Sequence, residues 1–130
     1  MADELDASAV RGKITLLPGY DTELSAVTFC IMDEDHTMGN ALRYMLMKDP
    51  RVEFCGYTLP HPSENKIHMR VQMLENSSTS AVTAMRDALD NLDQLFATID
   101  ATYNTSLTTS GIEREAAPVP RVPLRNEFSA

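Results

Sequence analysis

Asp35-His36-Thr37-Met38-Gly39-Asn40-Ala41-Leu42-Arg43-Tyr44-Met45-Leu46-Met47 reads as a helix start followed by a helix with more apolar surface than one core can use. Thr37 can cap the N-terminus, because a threonine hydroxyl accepts from a free backbone N–H two or three residues on. Asp35 adds negative charge beside the positive end of the helix dipole. Met38, Leu42, Met45 and Leu46 fall at the i, i+4, i+7, i+8 spacing of a core-facing stripe. Ala41, Tyr44 and Met47 make the other flank apolar too, leaving Arg43 and Lys48 as the main polar relief. A helix apolar on two sides is covered on two sides, and in a small protein the second cover is often another chain. Asp49-Pro50 stops the helix, since the residue before proline is pushed out of the helical region.

On either side of this block the chain alternates. Lys13-Ile14-Thr15-Leu16-Leu17 is a short strand stopped by Pro18-Gly19, and Leu24 to Met32 has apolar character on both faces, as a central strand does. Val52, Phe54, Tyr57 and Leu59 mark a third strand, with Gly56 as a bulge or a close-approach site. Pro60-His61-Pro62-Ser63-Glu64-Asn65 is a rigid turn. Ile67, Met69, Val71 and Met73 then alternate with Lys66, His68, Arg70 and Gln72, the pattern of a half-buried strand. Thr79 or Ser80 starts a long second helix. In it Val82, Met85, Leu89, Leu92, Phe96, Ile99 and Tyr103 keep the 3-4-3-4 rhythm of a packed seam. Ala81, Ala84 and Ala88 form a small-residue shoulder, and Asp87, Asp90, Asn91, Asp93, Gln94 and Asp100 face water. From Ser80 to Tyr103 this helix measures about 35 Å, against about 17–20 Å for a typical strand. The stretch Leu92 to Tyr103 therefore lacks an internal partner, unless the helix folds back onto its own sheet. The order strand, strand, helix, two strands, helix predicts a two-layer α+β domain: a four-stranded, mostly antiparallel sheet with two helices on one face.

The chain has 130 residues, 43% of them hydrophobic, and no tryptophan. That suits one domain over 12–107, between a flexible acidic N-terminus (1–11) and an extended tail (108–130) in which Pro118, Pro120 and Pro123 alternate with other residues. A net charge of −8 and scattered basic residues argue against direct contact with nucleic acid, which takes clustered Lys and Arg. No apolar run is long enough to span a membrane, and the first residues lack a secretory pattern. Cys30 and Cys55 read as small buried apolar residues.

Reactive chemistry finds no constellation. His36, His61 and His68 have neither the spacing of a metal site nor a Cys-x-x-Cys beside them. His36 reads as settling the strand-to-helix corner through backbone hydrogen bonds. Gly39 stands alone, so it is no phosphate loop and reads as a close-packing position. Asp33-Glu34-Asp35 is a solvated corner, because neighbouring side chains at a strand end point apart. No catalytic residue, metal or cofactor is expected.

Residues 35–72 resemble the small α-like subunits of eukaryotic RNA polymerases, of the type shared by polymerases I and III. The resemblance rests on Asp35-His36-Thr37, Gly39-Asn40, Leu42-Arg43, Asp49-Pro50, Val52-Glu53-Phe54-Cys55-Gly56-Tyr57, Pro60-His61-Pro62-Ser63-Glu64-Asn65 and Arg70-Val71-Gln72. Phe54, Gly56 and Tyr57 with Pro60, His61 and Pro62 point to the I/III type over its polymerase II counterpart. Met38 stands where the family usually has Leu, a swap that conserves volume.

The resemblance implies the fold of the bacterial polymerase α-subunit dimerisation domain. It also implies a non-catalytic assembly role in rRNA and tRNA synthesis, in the nucleus including the nucleolus. The domain would form a heterodimer with the larger α-like subunit, on which the second-largest and largest subunits assemble. The expected interface is Met38, Leu42, Met45 and Leu46 in the first helix and Leu89, Leu92, Phe96, Ile99 and Tyr103 in the second, with some of them filling the domain's own core. The competing reading is a small-molecule-binding or enzymatic α+β domain acting alone.

Overall fold

The computed structural model describes residues 12–113; the expected loose segment 1–11 and residues 114–130 of the expected extended tail lie outside them. Six elements follow in order: β1 (Ile14–Leu16), β2 (Ala26–Met32), α1 (His36–Met47), β3 (Val52–Thr58), β4 (Lys66–Met73) and α2 (Ala81–Thr109). The strands form one antiparallel sheet in the order β1-β2-β4-β3. Two compact units divide at Ala97/Thr98. The first holds the sheet, α1 and the opening turns of α2. The second, among the described residues, is the remainder of α2 and the turn after it.

Alternation along the strands decides which side becomes the core. In β2 and β4 the facing pairs Val27–Val71, Phe29–Met69 and Ile31–Ile67 are all buried. Both helices cover that face. Leu42 and Leu46 of α1 and Ala81, Ala84, Met85, Ala88 and Leu92 of α2 join the same apolar cluster, with Cys55 from β3. Both cysteines are free and buried, and burial pushes the Cys55 thiol up to about 11. It is a space-filling core residue, as its sequence context suggested.

Helix boundaries differ from the sequence reading in instructive ways. Asp35, not Thr37, caps α1: its carboxylate accepts from the Thr37 N–H at 2.9 Å, a bond that holds the carboxyl below its usual range. The helix begins at His36, which puts Thr37 inside the first turn. Ser80 caps α2, its hydroxyl accepting from the Thr83 N–H at 3.2 Å. That helix runs to Thr109, six residues beyond Tyr103. Its stop signal is Gly111, at φ +67°. The Gly111 N–H donates to the Thr108 carbonyl and the Ile112 N–H to the Leu107 carbonyl, both at 3.2 Å, which is the Schellman arrangement. The hydroxyls of Thr102, Thr105 and Thr108 bond back to the carbonyls of Thr98, Ala101 and Asn104. These bonds satisfy the hydroxyls within the helix, at a slight cost to it rather than a gain, and the threonine-rich stretch is helical all the same.

Gly39 marks the contact between α1 and β3. A Cβ there would lie 2.6–2.9 Å from ring carbons of Tyr57. The Tyr57 hydroxyl is 2.8 Å from His36 Nδ1, with the two rings edge to face. His36 thus settles its corner through its side chain rather than through the backbone. The bulge in β3 lies between Val52 and Phe54, not at Gly56, which stays in register with Arg70. Gly56 is a close-approach position instead: a Cβ would come 3.1 Å from Phe54 Cζ. Gly39→Ala should cost about 1–3 kcal/mol by overpacking. In urea denaturation that cost should shrink in the Tyr57→Ala background, because removing the ring removes the clash.

Candidate pairing surface

Nine residues were expected to share between a core and a partner, and the structure apportions them. Leu42, Leu46 and Leu92 are 1, 0 and 5% exposed and belong to the core of the first unit. Having almost no exposed area, they are the members of the set that fill the domain's own core. Met38, Met45 and Leu89 are half-buried and pack against that core. Phe96, Ile99 and Tyr103 are 57, 54 and 58% exposed. On α1 the exposed apolar side chains are Tyr44 and Met47, the second flank of the opening sequence block.

Within the first unit, Thr37, Asn40, Ala41 and Tyr44 of α1 and Leu92, Leu95 and Phe96 of α2 line an open groove of about 420 Å³. The Lys48 ammonium lies 4.8 Å above the Tyr44 ring and keeps that ring on the helix surface. The groove is apolar at its base and edged by Thr37 and Asn40, an arrangement suited to receiving side chains of another protein.

A second hollow on the same unit, of about 550 Å³, is lined in about equal parts by polar groups, Arg51, Asp49, Asp87, Asp90 and Asn91 among them, and by apolar ones such as Met45, Pro50 and Ala88. Arg51 bridges it, with Nη2 2.7 Å from Asp49 Oδ2 and 2.8 Å from Asp87 Oδ2. This guanidinium ties the entry of β3 to α2, so the hollow reads as a structural clamp. The hydrogen bond from Arg51 is the main reason the Asp49 carboxyl sits below its ordinary value of 3.8. Among the described residues no group of His, Cys, Asp or Glu is placed to hold a metal ion, and no helix is long and apolar enough to cross a membrane.

Comparison with known proteins identifies the class of this two-layer α+β domain. The model of the RNA polymerase Rpb3/Rpb11 dimerisation domain matches residues 26–102, and the chain belongs to that family. Among curated relatives it is 50% identical over 100 residues to the DNA-directed RNA polymerases I and III subunit RPAC2 of Schizosaccharomyces pombe, covering 73% of this chain and 78% of that one. With the Saccharomyces cerevisiae subunit of the same name the identity is 43% over 98 residues, covering 75% and 68%. A probable RNA polymerase II subunit RPB11 of Caenorhabditis elegans is 41% identical over 97 residues, covering 72% and 80%. The fold matches subunit L of the DNA-directed RNA polymerase of Thermoplasma acidophilum at a TM-score of 0.62 and 16% identity, over 79% of this chain and 96% of that one.

The expected family-motif residues divide between roles the geometry explains and positions it leaves open. Asp35 caps α1, and His36, Gly39 and Tyr57 form one contact. Phe54 covers Gly56, Thr37 and Asn40 edge the groove, and Pro60, His61 and Pro62 lie in the connection from β3 to β4. Arg51 had drawn no attention in the sequence; its only signal there was a cation close to Asp49-Pro50.

Two outcomes follow for stability. Leu46→Ala should destabilise the fold by about 2–5 kcal/mol, whereas Phe96→Ala should stay within about 0.5 kcal/mol, both read from urea midpoints. The Arg51–Asp49 contribution should be full above pH 3.8 and vanish as the pH falls through the lower folded value. The stability gap between wild type and Arg51→Gln should therefore close in acid.

Proposed function

We propose that this chain is the small α-like subunit shared by RNA polymerases I and III, acting without catalysis as half of a heterodimer with the larger α-like subunit. That pair is the platform on which the second-largest and largest subunits assemble, in the nucleus including the nucleolus, for rRNA and tRNA synthesis. The observation that carries the reading is Phe96, more than half exposed one turn after buried Leu92 on a helix whose earlier turns face the core. Membership of a dimerisation-domain family and the I/III relatives support the choice of partner and polymerase. A permanent complex of this kind typically buries about 2,000 Å² or more. Exposed Tyr44, Met47, Leu95, Phe96, Ile99 and Tyr103 are this chain's apolar contribution to it.

Co-expression of the full chain with the larger α-like subunit should yield a one-to-one complex. Phe96→Asp should weaken it at least tenfold, because it buries an unpaired charge. Leu92→Asp is unsuitable for this test, since Leu92 belongs to the chain's own core. A stable lone monomer indifferent to the larger subunit would refute the proposal and favour the ligand-binding alternative.

A further inference from the structure

We infer that Asp93 and Asp100 select the partner, fitting a helix whose apolar stripe is edged by Lys or Arg and disfavouring a second copy of this chain. The inference rests on the pairing face proposed above. The charged residues of α2 are Arg86, Asp87, Asp90, Asp93 and Asp100, so nothing positive follows Arg86 before the helix ends. In the first unit Asp93 precedes exposed Phe96 by three residues; in the second Asp100 precedes exposed Tyr103 by three. Side chains at that spacing are neighbours on a helix surface, so each carboxylate borders an aromatic ring that pairing would cover.

The acids differ in what they already do. Asp87 is held by Arg51 at 2.8 Å. Asp93 and Asp100 are exposed and enter no ion pair among the described residues. The cations of α1 and its C-terminal end, Arg43 and Lys48, belong to that helix, and Lys48 is stacked on Tyr44. On α2 itself, neither carboxylate has a cation three or four residues away on either side. Two copies meeting through α2 would set carboxylate against carboxylate while trying to bury their aromatic rings. A partner helix with cations at those places meets opposite charge instead. Rim charges of this kind act on encounter rate and on the choice between partners more than on the apolar contact itself.

The test uses the full chain and the larger α-like subunit, with binding kinetics measured in low and high salt. Asp93→Asn/Asp100→Asn keeps shape and removes charge at exposed positions, so the fold should survive, as circular dichroism would verify. Affinity in low salt should fall about two- to thirtyfold, the range for two exposed ion pairs, mainly through slower association. The difference should disappear in about 1 M salt. Asp93→Lys/Asp100→Lys should weaken pairing further than the Asn variant. Unchanged affinity and salt slope in the Asn variant, with Phe96→Asp still abolishing the complex, would overturn charge selection and leave the pairing face standing. If Phe96→Asp pairs as wild type does, the face itself is misassigned and this inference falls with it.

Discussion

Leu92 and Phe96 stand four residues apart on one helix face, yet one is buried and the other more than half exposed. The apolar rhythm of α2 does not change between them; what changes is the supply of facing apolar surface. A helix of 29 residues is about 43 Å long, whereas the longest strand, of eight residues, spans about 26 Å. The apolar seam within it, Val82 to Tyr103, measures about 33 Å by the same rise and is still longer than any one strand. The same limit acts across α1, where Leu42 and Leu46 consume the inner stripe and Tyr44 and Met47 are left over. Excess apolar area is thus a consequence of element lengths and residue spacing, fixed before any partner is considered.

That excess is useful only if the helices presenting it are held still. Two contacts do so within the first unit. Gly39 lets the Tyr57 ring lie against α1, and His36 bonds the hydroxyl of that ring, so the first turn of α1 is tied to β3. Arg51 reaches from the start of β3 to Asp87 on α2. β3 is therefore joined to both helices, and the groove between α1 and α2 is framed by elements that share one strand as a reference. Each side-chain contact is modest, about 1 kcal/mol. Their value lies in fixing geometry, because a pairing face that must be reorganised before use loses affinity to the ordering cost.

The fold was legible in the sequence wherever periodicity was strong. The odd-numbered residues of β4 are all buried, and of the apolar stripe of α1 Leu42 and Leu46 are buried while Met38 and Met45 are half-buried against the same core, since alternation and the 3.6-residue period have few structural solutions. The caps were not legible to the same degree. Asp35 and Thr37 both suit a helix N-terminus, and only the backbone decides which carboxylate or hydroxyl meets a free N–H. The end of α2 was misplaced because the apolar pattern stops at Tyr103 while the helix continues through a threonine-rich stretch to Thr109 and is halted by Gly111. Division of the interface residues was beyond sequence altogether. Leu92 and Phe96 satisfy the same rhythm, and exposure depends on what stands opposite. Arg51 escaped notice for a related reason, as its partner Asp87 is 36 residues away and long-range ion pairs leave no local signature.

Magnitudes decide how such a face must work. Fully burying a large apolar side chain is worth about 1.5–3 kcal/mol, and Tyr44, Met47, Leu95, Phe96, Ile99 and Tyr103 each have roughly half of that still to gain. Their sum is on the order of 6 kcal/mol, and a partner of similar build would bring as much again. Association itself costs about 4–15 kcal/mol. The apolar gain and the association cost are therefore of the same size, and nearly all six side chains must be engaged for a stable pair. In that regime, terms of about 0.2–1 kcal/mol from charges at the rim are no longer minor corrections. They separate a complex that persists from one that does not, and an uncompensated acidic edge is enough to turn an otherwise adequate apolar face away from its own copy.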